Sequence, residues 1–243
     1  MSIPNTDCVF SHLFMILEIC AQSYPSAVNA YQAGAHRIEL CTDLPSGGTT
    51  PSIELITQVC KEVKIPVFVL IRSRSGNFIY DHHEVKFMKD QIKIALDGGA
   101  AGIVAGAITE MHDLDERALY TWRRACEAYP FTFHRAFELI IDEKKAIHTL
   151  KEYRVDRILT GGKSGNAYQS RNELAHLNTL MNKQITLLAG SGISSKNVKE
   201  LIQVTGVHEV HTSAKYGFDD PTHSAYESNP FEIEKILEEI KIS

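Results

Sequence analysis

The sequence predicts an α/β fold, a single (β/α)8 barrel of the TIM type. Short apolar strand candidates alternate with amphipathic helix candidates along the whole chain, and eight such pairs are present. No Pro-, Gly- or Ser-rich linker divides them. Eight strand–helix units in one chain favour a closed parallel barrel. An open doubly wound sheet is the alternative that the same alternation allows.

The first four units follow from apolar periodicity and from residues that start or stop helices. They pair strands 16–20, 37–41, 67–72 and 101–106 with helices 24–33, 52–63, 84–96 and 114–128. Strand 37–41 is the clearest, because its apolar and polar residues alternate strictly. Pro51 is a good first residue for the helix that follows, and Gly34 and Gly98 stand where helices commonly stop.

The last four units repeat the pattern to the end of the chain. They pair strands 131–134, 157–160, 186–189 and 209–212 with helices 142–152, 171–181, 196–204 and 230–240. Gly206 provides another helix stop. We expect the barrel to span residues 15–243 and residues 1–14 to be a flexible N-terminal extension.

Composition and charge exclude several classes of protein. The net charge of -5 and the lack of a basic stripe argue against a nucleic-acid partner. No apolar run approaches the roughly 20 residues that span a membrane. Residues 1–14 contain no Lys or Arg, so no secretory signal is predicted. Five cysteines without a CxxC pair do not form a disulfide framework, and we expect a cytoplasmic protein.

Ionisable side chains gather at the carboxyl ends of the predicted strands, where a barrel carries its active site. The candidate acid–base residues are Glu18, Glu39, His134 and His211. We expect a carboxylate to move a proton with a histidine as its partner. The alternatives are that Glu18 and Arg37 form one buried ion pair and that His134 is a core histidine.

Arginines and glycine-rich loops at the same end of the barrel suit an anionic ligand. A guanidinium matches a carboxylate or phosphate, and barrels often bind phosphate after strands seven and eight. Either arginine after strand three could instead cap a loop. The candidate substrate-binding residues are Arg72, Arg74, Arg135, Gly190, Gly192 and Ser213. They predict a lyase, isomerase or hydrolase for a small phosphorylated or carboxylated substrate.

Two glycine-rich segments resemble nucleotide-binding motifs but do not fulfil them. Gly162-Lys163-Ser164 could end a phosphate-binding loop, but the first glycine of that motif would fall at Arg157. Gly190-Ser191-Gly192 could begin a dinucleotide fingerprint, but its last position is Ser195. We therefore expect no nucleotide cofactor.

Cys20 and Cys41 occupy equivalent positions at the ends of adjacent strands. Neighbouring strands lie about 4.8 Å apart, so both thiols could reach one ion. Thiolates select Cu(I) or Zn over hard cations. Because no third Cys or nearby His is evident, two-coordinate Cu(I) is the natural interpretation. The alternative is that both cysteines only fill the core.

Seven segments of the chain resemble the CutC copper-homeostasis family. They are LEIC (17–20), AGAHRIELC (33–41), GGTTPS (47–52), TFHRAFE (132–138), RILTGG (157–162), LAGSGI (188–193) and HEVHTSA (208–214). The resemblance covers nearly the whole chain from Met15 on. It implies a (β/α)8 barrel and a Cu(I) site on Cys20 and Cys41. It leaves open whether translation starts at Met1 or Met15.

The chain departs from the family pattern in the arginine loop, IRPRGGDF, which here reads IRSRSGNF (71–78). Asn77 replaces a carboxylate, so any role of that carboxylate as a base or metal ligand is weakened. Gly161 replaces a serine and Ser191 a glycine. The residues leave open whether the protein handles copper, is an enzyme or is a non-catalytic scaffold, and whether it forms a homo-oligomer.

Overall fold

A computed structural model describes residues 15–217 and 222–241. Its eight strands pair in sequence order, and β1 (Ile16–Ala21) also pairs in parallel with β8 (Glu209–Thr212), which closes the barrel. The predicted (β/α)8 fold is confirmed. The prediction of a flexible extension over residues 1–14 lies outside the described residues.

The remaining strands and the helices alternate as predicted. The other strands are β2 Arg37–Leu40, β3 Val67–Leu70, β4 Gly102–Ala105, β5 Phe131–Phe133, β6 Arg157–Thr160 and β7 Thr186–Gly190. The helices are α1 Tyr24–Gln32, α2 Ile53–Glu62, α3 His82–Asp97, α4 Glu116–Cys126, α5 Glu143–Glu152, α6 Arg171–Met181, α7 Val198–Thr205 and α8 Pro230–Lys241. Short 3-10 helices over Leu44–Ser46 and Arg135–Leu139 follow β2 and β5 and were not predicted.

Side-chain caps fix where five helices begin. Ser23, Ser52, Asp81, Asp115 and Asp142 each accept a hydrogen bond from a backbone N–H of the first helical turn. Such caps satisfy donors that have no partner within the helix. They set the lengths of the loops that follow the carboxyl ends of β1 to β5. None of the described helices is both long and apolar enough to span a membrane.

The barrel interior contains a buried layer of charges as well as apolar side chains. Arg37 forms ion pairs with Glu18 and Glu209, and Arg157 donates to Glu209 at 2.9 Å. Both guanidinium groups lie over the ring of Phe68, at 5.0 and 5.2 Å from its centre. The buried ion pair that was one interpretation of Glu18 and Arg37 is therefore present, and it lies beneath the strand ends.

Candidate functional site

A cavity of about 770 Å³ opens at the carboxyl end of the barrel. Eight of the predicted site residues line it: Cys20, Glu39, Arg72, His134, Arg135, Gly192, His211 and Ser213. Four others do not: Glu18, Cys41, Arg74 and Gly190. The strand ends thus bring most of the predicted residues together in one space.

Glu18 lies below the cavity and fixes the position of His211. Its side chain accepts hydrogen bonds from Arg37 and, at 2.7 Å, from His211 Nδ1. Burial alone would raise the pKa of Glu18, but Arg37 and His211 outweigh it and hold that pKa at about 2. Glu18 is therefore a permanent carboxylate that supports the site from below.

Glu39 and His211 form a second charged pair, and this one faces the cavity. Glu39 Oε2 lies 3.4 Å from His211 Nδ1 and has no hydrogen-bond partner among the described residues. Burial raises the pKa of Glu39 to about 7, although His211 opposes the shift. Burial alone would lower the pKa of His211, but Glu39 and Glu18 raise it well above its ordinary value. This pair can hold or release a proton near neutral pH.

The two strand-end cysteines are in contact. Cys20 Sγ and Cys41 Sγ lie 3.7 Å apart, and Cys20 is 6% exposed whereas Cys41 is completely buried. The hydrogen bond to Cys41 and burial raise the pKa of Cys20 well above its ordinary value. Without a metal ion, the Cys20 thiol is therefore protonated at neutral pH.

Cys20 also belongs to a second donor group, with Glu39 and His211. One donor atom from each of these residues lies within 4.8 Å of the other two. The expectation that no histidine lies near the cysteines is therefore wrong. Closure of the barrel pairs β8 with β1 and places His211 opposite Glu18. The last strand therefore supplies the histidine that the sequence around Cys20 and Cys41 lacks.

His134 presents one ring nitrogen to the protein and leaves the other without a partner. Nδ1 accepts the backbone N–H of Ala136 at 3.2 Å, whereas Nε2 is buried and unbonded among the described residues. Burial and the charge of Arg72 lower the pKa of His134 to about 3. The imidazole is therefore neutral, and its proton is on Nε2.

The three predicted anion-binding arginines have different surroundings. Arg72 is 5% exposed and donates to three backbone carbonyls, those of residues 46, 48 and 76. Arg135 forms a forked pair with Glu138, at 2.8 and 2.9 Å. Arg74 lies outside the cavity and pairs with Glu84 at 2.6 Å. Of the three, Arg72 is the buried one that pairs with no described carboxylate.

The predicted anion cradle after β7 and β8 already contains a carboxylate of this chain. Glu232 of α8 accepts the backbone N–H and the hydroxyl of Ser195, at 2.7 and 3.0 Å. Ser191 donates to the carbonyl of Gly165 at 2.6 Å. Gly192 and Ser213 line the cavity beside them. An incoming phosphate at Ser195 would have to displace Glu232.

Comparison with known proteins decides the family. Residues 15–216 match the CutC family. The chain belongs to the CutC family. The copper homeostasis protein cutC homologues of Mus musculus and Homo sapiens are 39% and 38% identical to it. These alignments cover 84% and 82% of this chain and 75% and 73% of the relatives.

Solved structures agree with the family. The CutC protein from Streptococcus agalactiae matches with a TM-score of 0.78 and 31% identity, covering 82% of this chain and 99% of that one. Phosphoribosylanthranilate isomerase from Thermotoga maritima matches with a TM-score of 0.61 and 12% identity, covering 95% and 100%. The second similarity shows the barrel fold alone.

Several residues that line the cavity of this CutC-family barrel were not predicted from the sequence. They are Phe78 from the loop after β3, and Lys215, Tyr216, Tyr226 and Glu232 from the segment after β8. They lie beyond the strand ends, in loops or at the start of a helix, where apolar periodicity gives no signal. Phe78 matters most, because Arg72 and His134 both pack on its ring, each at 4.7 Å.

Proposed function

We propose that this CutC-family protein binds Cu(I) through Cys20 and Cys41 and acts in copper homeostasis in the cytoplasm. The 3.7 Å contact between the two sulfurs carries the proposal. Soft thiolate ligands suit Cu(I), and the mouse and human relatives are named copper homeostasis proteins.

The donor atoms fit one soft ion. A metal–thiolate bond is about 2.3 Å long, so sulfurs 3.7 Å apart can both bind the same ion. A straight sulfur–metal–sulfur arrangement would need about 4.6 Å between the sulfurs, twice that bond length. The shorter spacing favours a bent pair of bonds and a third donor. His211 is the suitable neighbour once it has lost a proton, because neutral imidazole binds copper readily and the carboxylate of Glu39 is a harder ligand.

Access and protonation also support this site. Cys20 lines the cavity and Cys41 lies behind it, so an ion would reach Cys20 first. Because the pKa of Cys20 is raised, binding must release a proton. Glu39, with a pKa of about 7, lies close enough to accept that proton.

Competition with a Cu(I) chelator tests the proposal. Wild type, Cys20→Ser and Cys41→Ser are titrated under reducing conditions, with Cys60→Ser as the matched control because Cys60 is only half-buried and outside the cavity. We expect the first two variants to lose affinity and the control to match wild type. Equal affinities for all four proteins would overturn the proposal.

The Glu39–His211 pair supports a second candidate function, that of a lyase, isomerase or hydrolase for a small anionic substrate. A carboxyl group with a pKa of about 7 beside an imidazolium is suited to proton transfer. Copper-free protein is incubated in D2O with 2-keto and 2-hydroxy acids, and deuterium uptake at carbon is followed by NMR. Exchange that Glu39→Gln abolishes would support this function, and no exchange with any acid would count against it.

A further inference from the structure

Arg72 is a buried cation in the wall of the cavity. Its guanidinium lies over Phe78 and donates only to backbone carbonyls. Among residues 15–217 and 222–241, no carboxylate lies within ion-pair distance of it. An unpaired buried charge is costly, and an anion that enters the cavity would balance it.

His134 supplies a hydrogen-bond donor in the same wall. The backbone N–H of Ala136 occupies Nδ1, so the free hydrogen is on Nε2, which has no partner in the described part of the chain. His134 is only 5% exposed. A buried donor without a partner also favours a ligand that brings an acceptor.

Gly106 and Phe78 hold the imidazole beside Arg72. A Cβ atom on Gly106 would lie 2.6 Å from His134 Nδ1, so the imidazole fits only because residue 106 is glycine. Phe78 packs against both the imidazole and the guanidinium. One aromatic ring therefore contacts both the neutral donor and the cation, and Arg72 is near enough for its charge to lower the pKa of His134.

The charge of the cavity indicates the class of anion. Arg135, the other arginine that lines it, is already neutralised by Glu138, and Glu39 and Glu232 add negative charge to the lining. Among the cations of the lining, His211 pairs with Glu18 and Glu39 and Lys215 lies over the ring of Tyr226 at 4.5 Å, so Arg72 is the buried cation beside His134 that no described carboxylate neutralises. A single buried guanidinium matches a carboxylate better than a phosphate dianion. We propose that Arg72 and His134 bind the carboxylate of a small organic acid.

This inference deepens the second candidate function and is independent of copper. Arg72 supplies the charge, and His134 Nε2–H donates to a carboxylate oxygen. The apolar part of the acid would contact Phe78, Leu70 and Leu159, which line the same cavity. If an organic acid bound without exchanging deuterium at carbon, the carboxylate site would stand and only the proposed enzymatic function would be excluded.

Ligand-observed NMR with copper-free protein tests the ligand class. The probes are pyruvate and butyrate, with butyramide as the neutral analogue and inorganic phosphate as the competing anion. We expect both acids to bind wild type about tenfold or more tightly than butyramide or phosphate. Equal binding of butyramide, tighter binding of phosphate, or no binding of either acid would overturn the proposal.

Matched variants test the two residues. His134→Gln and His134→Phe both lose the ring nitrogen Nδ1 that accepts from Ala136, but only glutamine keeps a distal N–H donor. We expect butyrate affinity within about threefold of wild type for His134→Gln and about tenfold lower for His134→Phe. Arg72→Lys should bind better than Arg72→Met, and Arg74→Met, outside the cavity, should match wild type. If His134→Gln bound butyrate no better than His134→Phe, and Arg72→Lys no better than Arg72→Met, the assignment of these two residues to the carboxylate would be refuted.

Discussion

The Sγ atoms of Cys20 and Cys41 lie 3.7 Å apart, yet the two thiols have different surroundings. Cys20 faces the cavity, beside Glu39 and His211. Both cysteines belong to a small apolar cluster with Phe68, Leu70 and Val104, but Cys41 does not line the cavity. Cys20 therefore belongs to two donor sets, the thiol pair with Cys41 and the mixed set with Glu39 and His211. Cys41 belongs to the thiol pair alone.

This asymmetry predicts that the two cysteine variants differ in metal preference. Cys41→Ser should lose Cu(I) affinity by more than the roughly 10–100-fold that loss of an outer-shell partner costs. It should keep binding Co²⁺ or Zn²⁺ through Cys20, Glu39 and His211, because that group does not include Cys41. Cys20→Ser should lose both.

Visible absorption of bound Co²⁺ and competition with a Cu(I) chelator separate these outcomes. Cys60→Ser serves as the control for loss of a thiol elsewhere. Identical metal preferences in Cys20→Ser and Cys41→Ser would contradict the division into two donor sets.

Arg37 should be essential for stability, because it neutralises two buried carboxylates, Glu18 and Glu209. Removing one member of a buried ion pair typically costs about 3–5 kcal/mol, since the remaining charge is left unpaired. Arg37→Met should therefore lower the free energy of unfolding by about that amount in urea denaturation. Lys145→Met, which breaks an exposed pair with Asp113, should cost about 0–1 kcal/mol. Similar losses in both variants would contradict this role.

The fold was predictable because each strand–helix unit carries its own periodicity and the barrel follows from counting them. The contact between the two cysteines was predicted from their strand-end positions, but the prediction that these positions are equivalent was wrong, because the register places Cys20 opposite Glu39. The contact between His211 and Cys20 was not, because it depends on pairing between the first and last strands. Arg74 was expected in the cavity, but it lies outside and pairs with Glu84. Glu84 also forms the capping box of α3 with Asp81.

Because His134 is buried in its neutral form, we expect the protein to lose stability in acid. The His134 pKa of about 3 in the folded state lies below the ordinary 6.5, so the unfolded chain binds the extra proton between these values. This contribution is complete above about pH 6.5 and is lost as the pH falls toward 3. Glu18, with a pKa lowered from 4.5 to about 2, adds a further loss only below about pH 4.5.

The free energies of unfolding of wild type and His134→Phe at pH 7 and pH 5 measure this contribution. We expect wild type to lose more stability between the two values than the variant does. Glu39, whose raised pKa acts in the opposite direction, is present in both proteins, so its effect largely cancels in the comparison. A larger acid loss in the variant would show that His134 does not titrate as described.

Gly106→Ala should disturb the carboxylate site without changing any polar residue. The added Cβ would lie 2.6 Å from Nδ1 and 2.8 Å from Cε1 of His134, so the imidazole must shift from its position. We expect a loss of about 1–3 kcal/mol in stability from overpacking, together with weaker butyrate binding. Gly98→Ala is the control, because its Cβ meets the side chains of Ile53 and Ile56 outside the cavity. It should affect stability alone, so an equal loss of butyrate affinity in both variants would mean that the position of His134 does not govern binding.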